Sequence, residues 1–394
     1  MLNSNQSIWP KYSLKEIWAV IKVLMSKRVN YWTGFHGREF EKEYAQWAGT
    51  KYAVCLSNGT IALESAFKAI NLNQGDEVIV TSRTFIASIS SIVNVGGKPV
   101  FADVSLETQN LLASEIKSKI TPKTKAILCV HLAGWPCDMS SIMKIAKEKK
   151  IFVVEDCSQA HGATYKGKSV GSIGDIGCWS FCQDKIITTG GEGGMITTNN
   201  KKIWKKIWEY KDHGKNFDIV HKSSKSYKFK WVHSSFGSNY RMTELQSAIG
   251  RIQLKKVNLW QQKRIRNARK IWNVASKYSS IRVPSIPDYI NHAAYRCYIF
   301  VESNNLKKGW DRDKILIKLN QSGIPCNSGS CSEVYLEKAF QKYPEFIPQE
   351  RLPNAKKLGN QSISFLVHPN LSAKEVNKTC EVLEGILKQI TKEN

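Results

Sequence analysis

The sequence predicts an α/β fold in which a mostly parallel central sheet is covered by helices, followed by a smaller α+β unit. Three observations point there. Short apolar, β-rich runs recur from Tyr52 onward: YAVCLS, EVIVTS, KPVFADV, AILCVHLAG and FVVEDCS. Helical stretches such as IALESAFKAI and SSIMKIAKEKK lie between them, and strands alternating with helices favour parallel pairing with both faces covered. The 394 residues are 42% hydrophobic and 23% charged, a balance that lets the chain bury a sizeable core.

Ahead of the first strand, Ser13–Met25 reads as an amphipathic helix. Leu14, Ile17, Trp18, Ile21, Leu24 and Met25 share one face, and Ser13 with Glu16 forms a capping-box signal. An ordinary docked first helix is the expectation. After about residue 250 comes RIQLKKVNLWQQKRIRNARKIWNVASKY, which reads as one long helix. From about Ser279 the chain mixes a strand-like piece, YRCYIFVE, with a helical one, WDRDKILIKLNQSG. The expected division is a large unit over 1–250 and a smaller one over 251–394, with the boundary inside that long helix.

Several classes are disfavoured. No run of about 18 apolar residues marks a membrane span, and the N-terminus shows no basic stretch leading into an apolar one. The ten cysteines include no CxxC pair, so reduced thiols in a cytoplasmic protein are expected. Cys178 and Cys182 have the spacing of neighbours on one helix face, but no His or Cys cluster completes a zinc pattern. The net charge is +25: residues 201–230 carry ten lysines, and residues 251–270 carry eight Lys or Arg and no acid. Nucleic acid, an anionic membrane surface and a diphosphate-bearing substrate would all be attracted to such a surface. No helix-turn-helix, zinc-finger or RNP-like pattern supports specific nucleic-acid recognition.

Four stretches carry candidate chemistry. Ser57-Asn58-Gly59-Thr60 is a strand-to-helix turn, where glycine allows close backbone approach and a helix N-terminus offers N–H groups to a phosphate. Val153-Val154-Glu155-Asp156-Cys157-Ser158-Gln159-Ala160-His161 is an apolar strand ending in acids, at the sheet edge where open α/β folds hold ligands. A carboxylate there could bind a metal, take a proton or pair with a protonated ring nitrogen. Lys185 follows Ser180-Phe181-Cys182-Gln183-Asp184 and precedes a loop with Gly190, Gly191, Gly193 and Gly194 around Glu192. A lysine beside a glycine-rich loop is usually a surface lysine, but in a phosphate-containing, partly desolvated cleft its pKa can fall, freeing the amine to attack a carbonyl. The GxxxxGK[ST] order of a P-loop is absent. The last stretch, Phe236 to Gln246, reads as a loop and helix cap.

The order of these blocks carries a resemblance. GREFEKEYAQWAG, SNGTIALESA, TFIAS, KPVFADV, VHLAGWPCDM, VEDCSQAHGA, GDIGCWSFCQDKIITTGGEGGMITT, DHGKN and NYRMTELQSAIG run over roughly residues 30–370. The chain thus resembles the DegT/DnrJ/EryC1/StrS family of nucleotide-sugar aminotransferases, which use pyridoxal 5'-phosphate (PLP) and have the fold type I, aspartate aminotransferase-like architecture. The resemblance implies that Lys185 forms the Schiff base with the cofactor and that Asp156 pairs with its pyridine nitrogen. It places Gln159 near the ring oxygen, Phe85 stacked on the ring, and Gly59, Thr60 and Ser180 on the phosphate. Asn239 would reach the phosphate of the other subunit's site, which implies a homodimer with shared active sites. An amino-acid donor, L-glutamate by family habit, and a nucleotide-diphosphate keto sugar would be the substrates, in polysaccharide, O-antigen or glycoside biosynthesis.

Three features bear on which branch it resembles. A dehydrating branch carries His in place of the Schiff-base lysine, and Lys185 argues for transamination. A histidine-containing block common near the substrate end appears here as Gly329-Ser330-Cys331-Ser332-Glu333-Val334-Tyr335, without the histidine. SFCQDK also differs from the commoner SFxPxK form. The alternative from another class is a non-catalytic relative that binds PLP or a sugar nucleotide and regulates.

Overall fold

The computed structural model describes residues 7–222 and 231–392. Helix α1 (Leu14–Met25) begins at the expected capping box, with the Ser13 N–H donating to Glu16 Oε2 at 2.9 Å. Glu16 also takes the Lys256 ammonium at 2.5 Å, which docks α1 against the helix ending at Leu254. Ile17, Trp18, Leu24 and Met25 nonetheless stay exposed. Helix α2 (His36–Ala48) then leads into β1 (Tyr52–Leu56), and α3 (Gly59–Ala69) leaves it through the Ser57–Asn58 turn.

The βα alternation continues through β2 (Glu77–Thr81), α4 (Ala87–Val93), β3 (Lys98–Ala102), α5 (Ala113–Lys119), β4 (Thr124–Val130), α6 (Met139–Lys149) and β5 (Phe152–Asp156). A small hairpin, β6 (Thr164–Tyr165) and β7 (Lys168–Ser169), precedes β8 (Ile176–Ser180) and β9 (Gly194–Thr198). The main sheet has seven strands in the order β1-β9-β8-β5-β4-β2-β3. Only β9 runs against its neighbours, so the sheet is mostly parallel as expected. Alternation sorts each strand: Val78, Val80, Leu128 and Val154 pack with Leu63 and Phe67 of α3 on one face. Ile79, Ile127 and Val153 pack with Met139 and Ile142 of α6 on the other.

Helices α7 (Lys201–Lys211) and α8 (Phe217–His221) follow. The run expected as one helix is two, α9 (Glu244–Leu254) and α10 (Val257–Ala275). The chain turns at Lys255–Lys256, where the Lys256 N–H donates to Gln253 O at 2.8 Å and its side chain reaches back to Glu16. α9 packs on α1 and α2, whereas α10 packs on α13 (Ala373–Ile390), and we propose that the large and small units divide at this turn. The C-terminal unit holds β10 (Ile281–Arg282), β11 (Ile290–Asn291), β12 (Cys297–Val301), α11 (Arg312–Gln321), β13 (Cys326–Asn327), α12 (Pro353–Gln361) and β14 (Ser362–Phe365). Its antiparallel sheet runs β10-β12-β14-β13, while β11 joins the β6–β7 hairpin and ties the two units together.

Cys178 lies within β8 and Cys182 just beyond it, so their spacing belongs to a strand end and not to a helix face. All ten cysteines are free thiols. Among the described residues no helix is long and apolar enough to cross a membrane.

One buried acid organises the underside of the sheet edge. Glu155 is fully buried, and its Oε1 accepts the N–H groups of Ile173 at 2.9 Å and Gly174 at 2.6 Å. Its Oε2 accepts the Gly171 N–H at 2.9 Å and His131 Nε2–H at 3.0 Å. His131 carries its proton on Nε2 because Nδ1 accepts the Cys137 N–H at 3.0 Å. Cys157 brings a third ligand atom within 4.8 Å of the other two, yet the acceptor capacity of the acid is already spent on these donors. Replacing Glu155 with Ala strands all four donors, and urea unfolding should show a loss of about 3–5 kcal/mol.

Candidate active site

The parallel strands β1, β2, β4, β5 and β8 all end at one edge of the sheet, where a cavity of about 760 Å³ opens. At the head of α3, the Asn58 side chain accepts the Ile61 N–H at 2.9 Å and caps the helix. The Gly59 and Thr60 N–H groups have no acceptor among the described residues, so they and the helix dipole are available to an anion. Glycine is required at 59, because a Cβ there would stand 2.6 Å from the Ser180 Cβ. That close approach brings the Ser180 hydroxyl beside the same turn.

Asp156 is the cavity's acid. Its neighbour Glu155 faces the other side of β5, as strand alternation demands. Asp156 is 6% exposed, with Oδ2 accepting the Ser88 hydroxyl at 2.9 Å and Oδ1 accepting the Ser158 N–H at 3.1 Å. The Ser88 hydroxyl lies 2.8 Å from Thr84 Oγ1, which extends the support to the loop after β2.

Lys185 enters the cavity from the loop after β8, and its side chain is 17% exposed. Nζ lies 3.5 Å from Asp184 Oδ2 and 5.2 Å from the centre of the Tyr295 ring. The Tyr295 hydroxyl donates to Asp184 as well. From below, the Trp9 indole N–H donates to the Lys185 carbonyl at 2.9 Å and fixes the backbone. The Lys185 amine is pulled two ways in this arrangement. Burial pushes its pKa down, but Tyr295, Asp184, Cys182 and Asp156 together push it up further, so the amine sits above the ordinary lysine range.

The remaining expected residues divide. Gln159 lines the cavity, and its Oε1 accepts the Ala133 N–H at 2.8 Å, leaving Nε2 without an acceptor among the described residues. Phe85 also lines it and is 68% exposed, an aromatic face that its own chain leaves uncovered. Asn239 is exposed and absent from the cavity lining; its backbone bridges to Asp212 instead. Sequence reasoning missed Ser88, Tyr295, Arg296 and Tyr298, all of which line the cavity. Ser88 stands within TFIAS, and the other three within a segment whose only visible signal was its strand-like texture. Arg296 stacks on Tyr295 at 5.3 Å and makes no ion pair among the described residues, so it adds an uncommitted positive charge to the wall.

The electrostatics give a signed test. Only the neutral amine attacks a carbonyl, and below the raised pKa its fraction climbs with pH. Asp184→Asn removes one of the charges holding the proton on, lowering the pKa. At pH 7.5, Schiff-base formation with added PLP should run several-fold faster in the variant. Stopped-flow absorbance measures it; an unchanged or slower rate would contradict this electrostatic account.

Comparison with known proteins follows the same lines. The model of the DegT/DnrJ/EryC1/StrS aminotransferase family matches residues 11–384. GDP-perosamine synthase of Escherichia coli O157:H7 is 36% identical over 350 residues, covering 88% of this chain and 89% of that protein. The X-ray structure of an aminotransferase from Psychrobacter cryohalolentis is similar with a TM-score of 0.95 at 51% identity, over 98% of this chain and 99% of that one. S. venezuelae DesV, solved in complex with a ketimine intermediate, gives 0.85 at 27% identity, over 95% and 94% of the two chains. With the family's motifs placed around one cavity and the match spanning nearly the whole sequence, the chain belongs to the DegT/DnrJ/EryC1/StrS aminotransferase family.

Proposed function

We propose that this chain is a PLP-dependent aminotransferase that moves an amino group from L-glutamate to the keto group of a nucleotide-linked deoxy sugar, for polysaccharide or glycoside assembly in the cytoplasm. The observation that carries the reading is convergence. A lysine amine, a buried carboxylate and two unpaired helix N-terminal amides meet in one cavity.

These residues fit the cofactor. The Gly59 and Thr60 amides with the Ser180 hydroxyl match a phosphate, and Phe85 offers a face for a ring. The Gln159 Nε2 would suit a ring oxygen, and Asp156, held by Ser88 and Ser158, would hold a proton on a ring nitrogen. When bound, PLP supplies an electron sink for breaking the bond between the donor's α-carbon and its hydrogen. Lys185 Nζ, set free when the donor's amine takes its place, would accept that proton and hand it on, as general base and then acid. Arg296 gives the cavity a positive wall for the anionic groups both substrates carry, and the +25 surface draws a nucleotide diphosphate toward it.

The active unit in this reading is a homodimer. Asn239 is exposed and away from its own cavity, which suits a residue that serves the site of a second copy. The exposed apolar side chains of α1, with Phe35 and Phe236, offer a surface for that copy to cover.

The test is mass spectrometry of products formed from glutamate and a panel of UDP-, GDP- and dTDP-linked keto sugars. One panel member should gain an amino group. Lys185→Ala should lower that turnover by at least about 10²–10⁴-fold. Asp156→Asn should retain bound cofactor but lose most turnover. Near-normal rates in either variant would defeat the proposed roles.

A further inference from the structure

We propose that Arg83 is a positioning residue that sets the shape of the sugar-binding end of the cavity by clamping the Gly329–Ser332 loop; this rests on the aminotransferase reading. Arg83 lies on the loop leaving β2, two residues before Phe85, and is wholly buried. Among the described residues no carboxylate pairs with it. Its guanidinium donates from Nε and Nη2 to Gln109 Oε1 at 3.0 and 2.8 Å, from Nη2 to Ser362 Oγ at 2.9 Å, and from Nη1 to Ser332 Oγ at 2.7 Å. The Tyr298 ring centre is 5.7 Å away.

A buried cation without a counter-charge is costly, and an apolar side chain of similar volume is often as stabilising in such a place. What arginine adds is a rigid fork of directed donors. The fork joins two pieces of the C-terminal unit, at Ser332 and Ser362, to the loop after β2, and Gln109 of the large unit anchors it. Ser332 follows Gly329, Ser330 and Cys331, which line the cavity. Ser362 stands two residues before Ser364 on β14, also a cavity residue. Tyr298 completes the clamp: its hydroxyl accepts the Ser330 N–H at 2.8 Å. Gly329 has φ +88° and lies flat on that ring, where a Cβ would come within 2.3 Å. Ser82 reinforces it, donating from Oγ to Ser332 O at 3.0 Å and accepting the Val334 N–H at 3.0 Å.

The clamped wall has a particular chemistry. Asn327, Ser330 and Ser364 are neutral hydrogen-bonding groups, suited to the hydroxyls of a sugar and not to the carboxylates of an amino acid. The groups matched to the cofactor come from α3, β5, β8 and the loops beside them, with Phe85 from Arg83's own loop, and the Arg83 guanidinium hydrogen-bonds none of them. Loosening the clamp therefore disturbs sugar binding and spares the donor half-reaction.

The test compares Arg83→Met, Arg83→Lys and Ser332→Ala with the parent protein. Hydrogen exchange needs no substrate: in Arg83→Met the Ser330 and Val334 amides should exchange about tenfold faster or more, while Ile61 at the α3 cap is unchanged. With the keto-sugar panel, KM for the sugar should rise about tenfold, and glutamate should bleach the cofactor band at a rate within about twofold of the parent. Arg83→Lys should recover part of the KM effect, and Ser332→Ala should show a smaller change of the same sign. Should Arg83→Met not fold, the Ser332→Ala exchange pattern decides. Unchanged exchange at Ser330 would overturn the proposal, as would equal loss in the two half-reactions. If the parent binds no PLP, the aminotransferase reading fails, and the exchange result still judges the clamp.

Discussion

Two carboxylates stand side by side at the end of β5, and the pleat of the strand forbids them a common environment. Glu155 turns under the sheet, where three backbone N–H groups and His131 consume it. Asp156 turns over the edge into the cavity, with only Ser88 and Ser158 holding it. The first acid folds the 171–174 turn against the strand and so builds the floor. The second is left with acceptor capacity for a ligand. The same alternation in β8 buries Trp179 beneath the sheet and brings the Ser180 hydroxyl up beside Gly59.

Charge is distributed with the same economy of partners. Lys185 keeps a proton because Tyr295, Asp184, Cys182 and Asp156 outweigh its burial. Its reactivity is therefore set by acids and a phenol contributed by two units of the chain. Arg83 and Arg264 are buried with no carboxylate paired to them among the described residues, and burial holds Arg264 down to about 9. Arg83 does geometric work through donors to neutral oxygens, whereas Arg264 reaches the Tyr295 carbonyl at 3.4 Å and lies 5.1 Å from the centre of the Trp9 ring. The surface excess of +25 is a different matter, since long-range attraction needs no such geometry.

Much of this was legible before any coordinates. The short apolar runs and the helices between them point to the parallel sheet, because a strand covered on both faces reads as a near-continuous apolar run. Gly59, Asp156 and Lys185 were visible through their order along the chain. Other features depend on contacts between distant segments, and local pattern is silent about those. Nothing in RIQLKKVNLW announces a turn, since every residue there is compatible with a helix; the break follows from Lys256 reaching back to Glu16. Arg83 reads as one cation among many until Ser332 and Ser362, about 250 residues later in the chain, are folded onto it. The raised amine at Lys185 escaped for the same reason, as Tyr295 lies far along the sequence.

The central claim is that Lys185 is the residue bonded to the cofactor, and reduction tests it most directly. PLP-loaded protein treated with sodium borohydride, digested and mapped by mass spectrometry should carry a phosphopyridoxyl group on the peptide containing Lys185. The other lysines should be unmodified. A label on a different lysine, or none after full loading, would contradict the account.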